Sequence, residues 1–353
     1  MVRRADRRPS LATVAEKVGV SKATVSNSFN RPEMVSAQVL ARVLAEAERQ
    51  NFAGPDPAAR QLSRGRTDTL GLLFTDELSV AFTDPAAVAF IKGLAMSCQS
   101  AGLNMLLVST ESTGDRSSAV GNAVVDGFVV YSVPVDDPHL QRVLDRRLPT
   151  VVVDSPPAVP GVDWVGPDDR AGARALGSML VELGHRRIGV ITGTGRDYSG
   201  RTDVATIDNE PASVHRNRIL GLRDALAEVG IEDLPIEVRP ENSADAGAEA
   251  LHALLDRRPD LTAVCALMDL LALGALRAAG DRGLSVPGQL TVTGYDDIPE
   301  AAVAGLTTVS QPLIDKGRIA GELYLSHRPG DAPRHRILPT HVQVRGTSGP
   351  PQA

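Results

Sequence analysis

"KVGVSKATVSNSFN" occupies Lys17 to Asn30, and its middle is a helix too short to stand alone. Among the eight residues between Val20 and Phe29, only Ala23 and Val25 are apolar. Isolated helices shorter than ~12–15 residues are marginal in water, so this one needs neighbours behind it. Upstream, Leu11, Val14, Ala15 and Val18 fall at i, i+3, i+4 and i+7, one helical stripe. Gly19 stands where that helix needs a C-cap, and Ser21 where the next needs an N-cap. Downstream, Ser36 caps a longer helix whose Val39, Leu40, Val43, Leu44 and Ala47 form another stripe. Three helices patterned this way bury one small core.

The spacing is that of a helix-turn-helix. Ala15 is small where the second helix crosses, Gly19 tolerates φ > 0 in the turn, and Val25 locks the pair. Val25 and Phe29 then point inward, while Lys22 with Ser26 and Ala23 with Asn27 project outward. That outer face suits a major groove: Lys donates to guanine O6/N7, Asn pairs two-pronged with adenine, and Ala meets a thymine methyl. Each good base contact discriminates by roughly 1–3 kcal/mol. The same spacing also fits a structural helical hairpin with a solvated face. Charge favours the first reading. Residues 1–66 hold 12 Lys/Arg against 6 Asp/Glu, whereas the remainder holds 25 against 37. A basic head on an acidic body points to a polyanion as the head's partner.

The 353 residues, 42% apolar and 23% charged, suffice for two or three globular domains. With aromatics at 3%, the cores must be built from Ala, Val and Leu. Cys98 and Cys265 lie in apolar surroundings and read as buried free thiols of a reducing compartment. The basic start lacks an export signal's apolar stretch, and no run approaches the ~18 apolar residues of a membrane span. A soluble cytoplasmic protein is therefore expected. Residues 53–66, with two prolines and three basic residues, read as a linker holding one short helix, Pro57–Leu62.

From Thr69, apolar runs such as "LGLLF", "GFVVYS", "RIGVITG" and "TAVCAL" alternate with helical stripes, predicting parallel sheets covered on both faces. They fit one large sheet or two smaller ones, closed by a last strand, "HRILPTHVQVRG". Ligands in such sheets sit at the strands' carboxyl ends. Asp154 follows "TVVV", Asp296 and Asp297 follow "LTVTGY", and Asp269 opens the helix after "TAVCAL". Carboxylates there either accept ligand hydroxyls or form turns and caps; Asp297 reads as a cap. No HExxH, G-x-S-x-G, CxxC or P-loop is present, and the histidines show no metal-ligand spacing, so neither an enzyme nor a metal site is expected.

"LATVAEKVGVSKATVSNSFN" and "VLAEAE", followed in order by "GHRRIGVITG", "RNRILGLRDAL", "DLLALGALR", "VTGYDDIPEA", "LTTVSQP" and "VRGTSG", resemble the lactose/galactose repressor family of bacterial transcription regulators. The resemblance implies a small all-α helix-turn-helix head at 1–52, a hinge segment at 53–66 and an α/β body at 67–353. That body would be of the periplasmic-binding-protein type I kind, with two parallel-sheet subdomains, about 67–165 plus 296–325 and 166–295 plus 326–353. It further implies base readers at Lys22, Ala23 and Asn27, DNA-backbone contacts at Ser21, Thr24, Ser26 and Asn30, and a minor-groove wedge at Leu62. Arg218, from R-x-x-G, would join Asp154, Asp296 and Asp269 around a small-molecule effector, a sugar being the leading candidate.

The implied protein is a homodimeric repressor on a pseudo-palindromic double-stranded operator, with no cofactor and no membrane partner. The alternative is a cytoplasmic solute-binding protein of the same body fold. Four departures stand out: an extra residue with Pro57 before Leu62, Met268 in place of an asparagine, a long 193–214 segment expected near the cleft mouth, and a single tryptophan, Trp164, for stacking on a sugar. No leucine heptad follows "VRGTSGPPQA", so a dimer rather than a coiled-coil tetramer is expected.

Overall fold

The computed structural model describes residues 9–56, 65–74, 80–109, 119–157, 159–193, 199–209 and 213–352. It divides into two compact units, Met1–Thr67 and Asp68–Ala353.

In the first unit, α1 (Leu11–Val18), α2 (Lys22–Asn30) and α3 (Ala37–Arg49) are each opened by a serine, Ser10, Ser21 or Ser36, whose hydroxyl accepts a backbone N–H of the first turn. Gly19 ends α1 at φ 74°, where a side chain would be strained, and its N–H donates to the Ala15 carbonyl. Val14, Ala15, Val18, Val25 and Val43 form the core, with Phe29 and Phe52 meeting edge-on at 5.8 Å. Arg42 reaches from α3 to donate to the Val18 carbonyl at the end of α1. The α3 stripe is narrower than its sequence predicts. Val43 and Ala47 are buried, but Leu44 is 43% exposed, because so small a core covers only one face of α3. The expected hinge helix Pro57–Leu62 lies outside the described residues.

The second unit holds two lobes. The first is built on a six-stranded, wholly parallel sheet ordered β12-β5-β4-β3-β1-β2, from β1 (Thr69–Phe74), β2 (Asn104–Ser109), β3 (Gly127–Tyr131), β4 (Thr150–Val153), β5 (Asp163–Pro167) and β12 (His335–Leu338). Alternate residues feed opposite cores: Val151 and Val153 one, Val152 the other. Burial on both faces is why these strands read as unbroken apolar runs. The second sheet runs β10-β9-β6-β8-β7, from β6 (Ile188–Gly193), β7 (Gly200–Thr202), β8 (Ile236–Arg239), β9 (Ala263–Ala266) and β10 (Thr291–Thr293), with β7 antiparallel. β11 (Thr308–Ser310) and β13 (His341–Gln343) pair antiparallel.

The chain passes between the lobes after β5, after β10 and after β12. The expected single closing strand is broken at Pro339. Its first half, His335–Leu338, joins β5 in the first sheet, although 326–353 was expected to belong to the second subdomain. Arg334 anchors it there, donating from its backbone N–H (2.7 Å) and its Nη2 (2.6 Å) to buried Asp163. Beyond β13 the tail is stitched to the second lobe. Thr347 Oγ1 donates to the Val292 carbonyl (2.7 Å), and buried His185 Nε2 donates to the Gly349 carbonyl (2.8 Å).

The helix Leu313–Ser326 lies against the helix Pro85–Ser100 of the first lobe, with Ala320 and Leu323 in that lobe's core. The approach is close. A Cβ on Gly317 would sit 2.0 Å from the Phe90 carbonyl oxygen, and one on Gly93 1.9 Å from that of Ile314. No described helix is long and apolar enough to cross a membrane.

Candidate functional site

On α2 the inward side is Val25, fully buried, while Ser21, Lys22 and Ala23 are exposed and Asn27 is half-buried beside them. Among the described residues nothing hydrogen-bonds the side chains of Lys22 or Asn27, which leaves an ammonium and a carboxamide presented from one helix. The other polar residues are already engaged. Ser21 Oγ accepts from the Thr24 N–H and shares a hydrogen with Thr24 Oγ1, and Asn30 Nδ2 donates to the carbonyl and hydroxyl of Ser26. They shape the helix ends as well as lining its surface. Leu62 lies outside the described residues.

The second constellation is in the two-lobed unit. Asp154 ends β4 with φ 63°, and Asp296 and Asp297 follow β10 at φ 116° and 59°. Arg218, buried in the helix Val214–Ala227, donates from Nε to Asp169 (2.8 Å) and from Nη1 to the Leu267 carbonyl (2.6 Å). Its Nη2 lies 3.2 Å from Asp296 Oδ1, and its guanidinium stacks 3.7 Å from the Tyr295 ring centroid. Gln311 Nε2 donates to the same Asp296 oxygen (2.6 Å). Gln311 Oε1 accepts from Lys316 Nζ (3.1 Å), which also donates to both oxygens of Asp154, at 2.9 and 2.7 Å. One unbroken polar chain thus runs from Asp154 in the first lobe to Asp169 in the second.

Three of the four expected effector residues, Asp154, Arg218 and Asp296, therefore come together. Asp269 stands beside them but is occupied: it accepts from Thr308 Oγ1 (2.6 Å) and the Ile298 N–H (2.9 Å), bracing the segments around Asp296. Asp297 is no cap; it pairs with Arg345 at 2.6 Å. Met268, at the N-cap of the next helix, gives no side-chain cap and packs on the second-lobe core. The described part of 193–214 adds β7 to the outer edge of the second sheet, anchored by buried Ile207 and by Asp208 against Arg216 and Arg223.

Burial dominates the electrostatics. It pushes the Asp296 carboxyl up, to about 8, against the pull of Arg218, and Asp269 to about 6 against its hydrogen bond from Thr308. Asp169 and Asp84 are raised for the same reason. Burial would lower the Arg218 guanidinium, but Asp169 and Asp296 raise it above its ordinary value. Beside the chain opens a cavity of ≈ 300 Å³ lined by Asp154, Trp164, Asp169, Asn217 and His335 among others. Trp164, which looked too little for stacking, forms part of its wall, with Nε1 donating to the Asp154 carbonyl (3.1 Å).

Sequence reasoning missed Asp169, Gln311 and Lys316. Lys316 carried a signal: with Leu313, Gly317 and Ala320 it falls on the apolar stripe of its helix. Both cysteines are buried free thiols, and the described residues contain no cluster able to hold a metal ion.

The geometry has counterparts among known proteins. A periplasmic binding protein-like domain matches residues 178–348. An HTH-type transcriptional regulator of Mycobacterium tuberculosis is 44% identical over 98% of both chains. The chain belongs to the LacI family of HTH-type transcriptional regulators. Among solved LacI-family structures, the CelR–cellobiose complex matches 96% of this chain and all of its own, with 29% identity and a TM-score of 0.70. The Lac repressor dimer bound to operator and the anti-inducer ONPF matches 97% and all of its own, with 25% identity and a TM-score of 0.76. A LacI-family head and two-lobed body therefore span nearly all of the chain, and the relatives it matches are transcriptional regulators.

Proposed function

We propose that this chain is a homodimeric, operator-binding repressor whose DNA affinity is set by a small polyhydroxylated metabolite, a sugar first of all, held between the lobes of its body. The observation that carries the reading is α2: a helix fixed from behind by Val25, with Lys22, Ala23 and Asn27 turned outward. Two such heads related by a two-fold axis would read a pseudo-palindrome. Ser21, Thr24, Ser26 and Asn30 would set the helix against phosphates, and Leu62 would wedge the minor groove between them. The Asp154–Asp296 cleft would hold the effector, as the structure of CelR with cellobiose suggests by analogy. Effector alters DNA affinity only through its preference between two body states, typically 1–3 kcal/mol of coupling. The reading places the protein in the cytoplasm, with the chromosome.

Selection on randomised operators tests it. The full chain should enrich a two-fold sequence, residues 67–353 alone should enrich none while remaining a folded dimer, and Asn27→Ala should relax one base position per half-site. Enrichment by the truncated body, or an even loss at all positions for Asn27→Ala, would contradict the assignment. A solute-binding protein would show no operator with either form.

A further inference from the structure

The ammonium of Lys316 is placed as a ligand would be. Its side chain is 2% exposed and stands behind the cavity wall, where it holds Asp154, which lines the cavity. All three of its N–H donors have acceptors: Asp154 Oδ1, Asp154 Oδ2 and Gln311 Oε1. A fourth side is aromatic, the Tyr131 ring centroid lying 5.7 Å away, and Tyr131 is itself fixed by stacking on Phe90 and Phe74. A carboxylate held two-pronged, a neutral acceptor and a π face make a receptor for a primary ammonium ion. Fold stability does not explain it, since replacing a buried ion pair by apolar side chains is often neutral or stabilising. The Gly317–Phe90 approach sets the helix that carries Lys316 close against the helix Pro85–Ser100.

We propose that Lys316 is an internal ligand and the specificity-determining residue of the cleft: its ammonium fills a primary-ammonium subsite made by Asp154, Gln311 and Tyr131, and so bars amine-bearing effectors. An incoming amine finds Asp154 already paired. An incoming anion meets Asp154, Asp168 and Asp169 in the cavity lining against Arg170, which is already paired with Asp224. What is left for the effector is an uncharged, hydroxyl-bearing molecule. This rests on the cleft being the effector site proposed above.

Melting of the full chain tests it in ethylammonium, tetramethylammonium and potassium chlorides at matched ionic strength. Wild type should melt alike in all three. Lys316→Ala should melt lower and recover specifically in ethylammonium, which restores an N–H-bearing cation beside Asp154. Equal response of Lys316→Ala to the three salts overturns the proposal, as does an equal gain by wild type in ethylammonium. The double variant Lys316→Ala/Asp154→Asn should melt above the single one and lose the preference. If Lys316→Ala does not fold, recovery of folding in the double variant supports the pairing, and failure of both overturns it. The assay uses neither DNA nor effector, so its failure is separate from any failure of operator control.

Discussion

Arg218 is the residue on which the cleft's charge balance turns. It is buried between Asp169 and Asp296, whose carboxyls burial already drives upward. A carboxyl raised on folding contributes stability that is fully present below its ordinary range and is lost as pH rises through its folded value. For Asp296 that decline extends to about 8. Replacing Arg218 by methionine strands both acids, and removing one partner of a buried pair typically loses about 3–5 kcal/mol. The loss should be greatest near pH 8 and shrink towards pH 5, where the acids take up protons. Urea unfolding of Arg218→Met against wild type at both pH values measures it; a deficit independent of pH would mean that Arg218 acts through packing on Tyr295 alone.

Among the elements, the helix Leu313–Ser326 shows how backbone proximity sets chemistry. Gly317 has no room for a methyl group, so Gly317→Ala must push this helix off Pro85–Ser100 and take Lys316 with it. Overpacking of this kind costs about 1–3 kcal/mol, to be read as a lower denaturation midpoint with an unchanged slope. The limits of sequence reading lie at the same scale. α1, α2 and the central strands were legible because their patterns are local: a stripe at 3.6, a serine cap, a glycine turn, an apolar run buried on both faces. β12 was legible as a strand but its sheet was not, because three of its four residues are exposed and its place comes from Asp163 and Trp164, about 170 residues earlier. The strand-end acids were legible by position. Their partner Lys316 was not, since 162 residues separate it from Asp154 and only folding makes them neighbours.

Across the molecule, the two ends of the pH scale act through different places. His185 is buried against Thr262 and the Gly349 carbonyl, and burial holds its imidazole below the usual range. A group lowered on folding gives stability that is present above its ordinary value, ~6.5, and lost as pH falls. The acids of the cleft have the opposite slope. His185→Gln, which keeps a donor for Gly349, should therefore lose less stability than wild type on acidification from pH 7 to pH 5. Melting curves across that range decide it.

The stitched tail has a consequence for biosynthesis. Residues 335–349 supply a strand to one lobe and a clasp to the other, and they leave the ribosome after everything they hold. The amino-terminal head closes its own core from residues 11–52 and needs none of them. During translation the head can thus close its core while both lobes still lack the strand and the clasp that residues 335–349 supply.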